Sequence, residues 1–344
     1  MNLRICPWGN IHGKEVYLYT ATTRNGMKCT ISNYGGLIKS IALISEDNKE
    51  LEVAYGFDSI ESYREADYHP GGIIGRYANR IAGSEFTIDG HNHQLSCNEG
   101  SNQLHGGING FDRKIWVPEI VEARDGVCTI QLFLHSPDGD EGFPGNLDVW
   151  LTYSITEDNQ IAISYKAATD KPTHVNLTTH GYFNLSGFRK NVLDHLLHLS
   201  ADHYLPVDEC LIPTGELRNV SHTPFDFRTT KSIGADINRC GGFYDHCFAL
   251  NNPTLDKPAA VLRNPDNGVC LKLFTTQPGL QLYTPINRPN VSNPAIPFPE
   301  SGNWAVCLEP QHFPNTPNMP DFPTTLLMPN GEYSQTTIIS FEQE

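Results

Sequence analysis

Four polar residues stand where the pattern around them is apolar. His180, Gln281 and Glu309 each interrupt an apolar or aromatic run with strand-like alternation, and Asp245 does so in Gly242-Phe243-Tyr244-Asp245-His246-Cys247. A carboxylate buried in such a run must be paired or used, because leaving water uncompensated is costly. A plain ion pair, for example Glu309 with Arg80, is one solution. The sharper one is acid/base chemistry. A Glu with a pKa of about 4.3 and a His of about 6.5 are poised for opposite proton transfers at neutral pH.

The elements that must position these groups are strands. Thr173 to Gly187 reads as a strand with Val175, Leu177, Phe183 and Leu185 on one parity and His174, Asn176, Thr178, His180, Tyr182 and Asn184 on the other. Such a face of neutral hydrogen-bonding and aromatic groups suits a hydroxyl-rich ligand. The alternative is a sandwich edge with satisfied histidines.

Two glycine-rich segments add groups. Gly71 to Gly83 lacks the Gly-Lys-Ser/Thr ending of a phosphate loop and runs into a strand and an Asp89-Gly90 turn. It leaves Arg76 and Arg80, the latter beside Asn79, as groups able to bind a hydroxyl or a carboxylate. His105 precedes Gly106-Gly107, where the backbone can turn sharply beside a ligand. His91-Asn92-His93 has a metal-like spacing, but it reads as an exposed hairpin with no nearby Glu to complete a ligand set. Ser136 to Gly145 is acidic, does not fit a calcium loop, and reads as a solvated turn.

Further strands are predicted at Glu15–Thr20, Lys28–Ile31, Leu37–Leu43, Val127–His135, Asn146–Thr156, Ile161–Ala167, Leu196–Leu199, Gly268–Thr276, Leu280–Thr284, Trp304–Glu309 and Glu332–Phe341. Asp58 with Glu61 resembles a capping box, predicting one short helix over Ser59–Glu65. Many short strands, hardly any helix and no composition break predict an all-β protein, a large antiparallel β-sandwich forming one domain over residues 1–344.

Composition narrows the partners. A net charge of −15 over 344 residues argues against nucleic acid and against an anionic membrane surface. No segment reaches the roughly 20 apolar residues of a membrane helix, and no signal peptide is predicted. Nine cysteines without a C-x-x-C pair predict reduced thiols and a cytoplasmic protein.

Six short motifs then fall in one order. They are Asn79-Arg80-Ile81, Leu104-His105-Gly106-Gly107, Asn176 to Leu185 around His180, Tyr244-Asp245-His246, Gln277 to Tyr283 around Gln281, and Leu308-Glu309-Pro310. Together they resemble the aldose 1-epimerases, the galactose mutarotases, over nearly the whole chain. The resemblance implies a supersandwich of the galactose-mutarotase type and interconversion of the α and β anomers of aldohexoses. It implies Glu309 as general base, His180 as general acid and His105 as a helper at the ring oxygen. Arg80, Asn79, Asp245 and Gln281 would bind the other hydroxyls.

No cofactor and no metal are implied, and the acting unit is expected to be a monomer or homodimer. The chain departs from the family pattern at Pro285-Ile286-Asn287-Arg288 and at Gly181, which bears on sugar preference. Rival expectations are a non-catalytic carbohydrate-binding relative, an epimerase of hexose 6-phosphates using Arg76 or Arg288, and a glycosidase using Asp245 and Glu309.

Overall fold

The computed structural model describes residues 1–45, 48–290, 293–300 and 302–343. Three antiparallel sheets dominate. An N-terminal meander of five strands runs from Asn2–Ile11 to Glu50–Glu52. A nine-stranded sheet begins with Val117–Arg124, Val127–Ser136, Leu147–Thr156 and Gln160–Thr169. It continues through Tyr333–Gln343 and Val269–Thr275 to Lys231–Ser232. Interleaved with its strands in the sequence are those of a six-stranded sheet ordered Tyr182–Phe183, Val306–Gln311, Gly279–Tyr283, Asp245–Ala249, His203–Tyr204, Arg218–Asn219. The all-β expectation holds, and the predicted strands fall within a few residues of the observed ones.

Alternation explains the large sheet. Leu147, Val149, Leu151, Tyr153 and Ile155 are fully buried while the residues between them are half-exposed, so this sheet has one wet face. The six-stranded sheet differs because both faces are covered. Every residue of Val306–Gln311 is buried. Val306, Leu308, Leu280 and Leu282 join the main apolar core. The opposite parity, containing Glu309 and Gln281, looks the other way.

Register aligns that second face. Gln281 lies opposite Glu309 and Cys247, Tyr283 opposite Cys307 and Asp245, and Tyr182 opposite Cys307. Cross-strand partners share a face, so four strands deliver Tyr182, Glu309, Gln281, Tyr283 and Asp245 to one side.

Three expectations need correction. Thr173 to Gly187 is not one strand: Thr173–His174, Thr178–Thr179 and Tyr182–Phe183 pair with three different partners, and both parities are buried. Packing covers both sides, and of the ligand face expected there His180 and Tyr182 line the cavity described below. His174 is tied to Thr325 Oγ1, and Asn176 accepts from the His312 N–H.

The short helix exists as Ile60–Glu65, but Ser59 caps it, its Oγ accepting from the Ser62 N–H. Ser136 to Gly145 is not a solvated turn either. Arg76, almost wholly buried, donates to the carbonyls of Ser136, Pro137 and Pro144, and Asp140 pairs with Lys114. A buried guanidinium needs several acceptors, and this segment supplies them.

Candidate active site

A cavity of about 450 Å³ opens on the polar face of the six-stranded sheet. Glu309, Asp245, Tyr182 and Tyr283 come from that sheet, and His180 from the loop before Tyr182–Phe183. The Gly71–Gly107 region forms the opposing wall with Asn79, Arg80, Glu99, Leu104 and His105. Six of the seven residues singled out from sequence thus meet around one space. Gln281 stands behind the wall, donating to Asp245 Oδ1 at 2.5 Å, so it orients a lining residue.

His105 owes its position to unusual backbone. Its φ is +53°, and Gly106 and Gly107 follow at +82° and +101°. A Cβ on Gly106 would lie 2.0 Å from the Gly75 carbonyl oxygen, so only glycine lets these loops touch. His105 Nδ1 accepts from the Asn79 N–H at 3.2 Å, which fixes its tautomer.

The acidic segment clamps the same loop. Glu141 accepts from the Ile108 and Asn109 N–H groups at 2.9 and 3.0 Å and from the Ser96 hydroxyl. Replacing Glu141 by Ala is expected to cost on the order of 1–2 kcal/mol in urea denaturation, with a higher KM from a looser His105.

Arg80 is not the partner of Glu309. Its guanidinium forks onto Glu99 at 2.6 and 2.8 Å and approaches Asp245 Oδ2 at 3.7 Å. Glu309 faces His180 instead, Oε1 lying 3.6 Å from Nε2. Among the described residues, buried His180 Nδ1, Glu309 Oε2 and Gln281 Oε1 have no hydrogen-bond partner. Orphaned polar atoms in a native interior call for a ligand or a chemical use.

Burial pushes the Glu309 pKa well above the ordinary carboxylate value, and the Asp245 carboxylate adds to this while Arg80 opposes it. Burial, then the neighbouring His69, lowers His180 to about 3. His105 is lowered for the same reasons, with His180 and Arg80 contributing. Both members of the His180–Glu309 pair therefore favour their neutral forms, so their protons move as a coupled set.

Aromatic rings complete the site. The His180 ring stacks on Tyr182 at 4.7 Å and 12°, and Tyr182 stacks on Trp304 at 5.3 Å and 1°. This stack sets the ring plane of a histidine whose Nδ1 has no hydrogen bond to do so.

The residues that sequence reasoning missed are His69, Glu99, Tyr68 and Tyr283. His69 precedes Pro70-Gly71-Gly72, a cue comparable to that at His105. Arg76 lies outside the cavity, and Arg288 is exposed, donating to the Pro299 carbonyl. From the Pro285–Arg288 departure, Ile286 and Asn287 line the cavity rim. At Gly181, a Cβ would meet the Phe183 ring at 2.7 Å, so a larger residue here requires Phe183 to shift. His91–Gln94 forms the exposed edge hairpin expected of it. His105, His180 and Glu309 offer ligand atoms within 4.8 Å of one another, spacing that suits two oxygens of a sugar and also a small cation.

The chain resembles known proteins over nearly its whole length. The chain is 40% identical over 317 residues to galactose mutarotase of Mus musculus, covering 90% of each protein. It is 39% identical over 341 residues to aldose 1-epimerase of Escherichia coli K12, covering 96% of this chain and 97% of that one. The crystal structure of galactose 1-epimerase from Lactobacillus acidophilus superposes with a TM-score of 0.87 at 28% identity, covering 99% of both chains. Residues 17–340 match the model of the aldose 1-epimerase family, and the chain belongs to that family.

Proposed function

We propose that the protein is an isomerase that interconverts the α and β anomers of aldohexoses such as galactose and glucose. The observation that carries this reading is the Glu309–His180 pair, 3.6 Å apart and each with a buried atom unpartnered among the described residues, on a cavity lined by polar side chains. The neutral pair holds one proton between its members, and with that proton on His180 the Glu309 carboxylate takes the proton from the C1 hydroxyl. His180 gives one to the ring oxygen as the C1–O5 bond breaks, and the open aldehyde rotates about C1–C2. Closure on the other face reverses both transfers. His105 holds the ring-oxygen region, while Asn79, Arg80 and Asp245, the last aligned by Gln281, hold the remaining hydroxyls.

The rivals fare worse on the same geometry. A 6-phosphate would enter a cavity whose one lining arginine, Arg80, is already forked by Glu99, and whose wall also carries Asp67 and Asp245. Hexose 6-phosphates are expected not to compete with free hexose. The pair Asp245 and Glu309 suits glycosidase work poorly, because Gln281 and Arg80 engage Asp245. A purely sugar-binding role has no use for the His180–Glu309 contact.

Polarimetry of freshly dissolved α-D-galactose and α-D-glucose tests the reading. Faster decay of rotation is expected with both sugars, unchanged after dialysis against EDTA. No acceleration would overturn it, and loss of activity with the chelator would make the three clustered donors a metal site. We also propose a reducing compartment, the cytoplasm, because buried Cys29, Cys128, Cys247 and Cys307 are unlinked thiols. The unit is read as one domain, acting as monomer or homodimer.

A further inference from the structure

Next to the Glu309–His180 contact lies a second row of polar side chains, outside the cavity. Tyr182 stands opposite Cys307 and Phe183 opposite Val306. Continuing that antiparallel register puts His180 opposite Glu309, in accord with their 3.6 Å contact, and Thr178 opposite Gln311. On the other flank Gln281 pairs with Glu309 and Gly279 with Gln311. Residues two apart on a strand share a face, so Thr178 and Gln311 form the row beside His180 and Glu309.

These side chains are buried, Gln311 completely. Among the described residues, Thr178 Oγ1, Gln281 Oε1, Glu309 Oε2 and both polar atoms of the Gln311 amide lack a hydrogen-bond partner. The Cys247 thiol lies beside that amide, seated over Gly279, where a Cβ would fall 2.9 Å from its Sγ. A thiol is only a weak partner. A buried amide in this state costs stability, and such an exception calls for an explanation. The demands within the group match one another. Glu309 Oε2, Gln281 Oε1 and Gln311 Oε1 each need a donor, while the Gln311 amide has two N–H groups and the Thr178 hydroxyl one O–H to give.

We propose that Gln311, backed by Thr178, is a further positioning residue of the active site. Its amide holds Glu309 Oε2, directly or through one shared water, so that Oε1 is the oxygen presented to His180 and the C1 hydroxyl. The Thr178 hydroxyl donates to Gln311 Oε1, which turns the N–H groups toward Glu309 Oε2 and Gln281 Oε1. The last torsion of a Glu side chain is soft, and a donor on one carboxylate oxygen removes that freedom. The same amide links the base to Gln281, which already donates to Asp245. The inference rests on the acid/base reading of Glu309.

The test uses Gln311→Met, which keeps the length of the side chain and removes both polar atoms. It should lower kcat for anomer exchange about 10- to 100-fold, the worth of one hydrogen bond to a charged group, with KM near the wild-type value. In a Glu309→Gln background the same replacement should cost nothing further, because the group it positions is gone. Equal losses in both backgrounds, or a changed KM or melting temperature with kcat intact, would overturn the proposal and leave Gln311 a packing residue. A crystal structure of the wild type gives a readout independent of turnover. Gln311 Nε2 within about 3.2 Å of Glu309 Oε2, or one water bonded to both, supports the proposal, and an amide without either link refutes it. Absence of mutarotation in the wild type would instead count against the function proposed above and leave the crystallographic contact to decide this point.

Discussion

Replacing Glu309 by Gln is expected to reduce kcat for anomer exchange by about 10²–10⁴-fold, the usual worth of a positioned base, while making the fold more resistant to heat at neutral and alkaline pH. The two effects share a cause. Glu309 is buried, faces His180 at 3.6 Å without a full hydrogen-bond complement, and shares its surroundings with Asp245. Its folded pKa is therefore raised above the unfolded value. A group of that kind contributes stability fully below its unfolded pKa, about 4.3, and that contribution is lost as pH rises through the folded value. Above it, ionised Glu309 weighs against folding, and a neutral Gln of the same shape does not. Thermal melts of both proteins across pH should diverge as the solution becomes alkaline and converge in acid. A variant with full activity would remove Glu309 from the mechanism. Equal melting curves at all pH values would mean that the carboxylate is solvated or paired.

This trade explains why the site was partly legible in sequence. Glu309 and Gln281 betray themselves because each breaks the apolar alternation of a strand buried on both faces, a break that folding alone does not favour. Asp245 stands out for the same reason. His105 and Arg80 could be picked out by their neighbours, glycines that permit close approach and an Asn that adopts a positive φ. These are local signals.

What stayed hidden depends on distance along the chain. His69 acquires its place from Asp112, and Arg80 is engaged by Glu99 rather than Glu309. Neither partnership leaves a periodic trace. The alternation of Thr173 to Gly187 was real but ambiguous: parity cannot tell a strand with a ligand face from a segment buried on both sides and handed among three sheets. The acidic cluster of Ser136 to Gly145 looked solvated because composition cannot show Arg76 arriving from another loop to bind its carbonyls.

The central sheet joins these parts. One parity of its strands seals the main core through Val306, Leu308, Leu280 and Leu282, and the other holds Glu309, Gln281 and Asp245 in register. Glu309, Gln281 and Asp245 are thereby mounted on a sheet buried on both faces, whereas the glycine-rich wall opposite supplies His105, Arg80 and His69. Both groups of the proton-transfer pair are buried in this way. The cost is that burial depresses the charged form of each.

Replacing His180 by Asn should cost as much activity as replacing Glu309, and the two losses should not add. The pair acts as a unit, one group accepting a proton while the other delivers one, so removing either leaves the survivor without a matching transfer. His180→Asn is expected to lower kcat about 10²–10⁴-fold, and the double variant Glu309→Gln, His180→Asn to be no slower than the worse single one. The ring also has a pH signature of its own. Burial holds its folded pKa near 3, below the unfolded value of about 6.5, so protonation favours the unfolded chain. Its contribution to stability is present above pH 6.5 and is lost as pH falls toward 3. The Asn variant should therefore lose less stability than wild type over that acid range, opposite in pH to the gain from Glu309→Gln. Multiplying effects in the double variant would mean that the residues serve separate steps, and equal acid sensitivity of wild type and His180→Asn would mean that the ring does not titrate with unfolding.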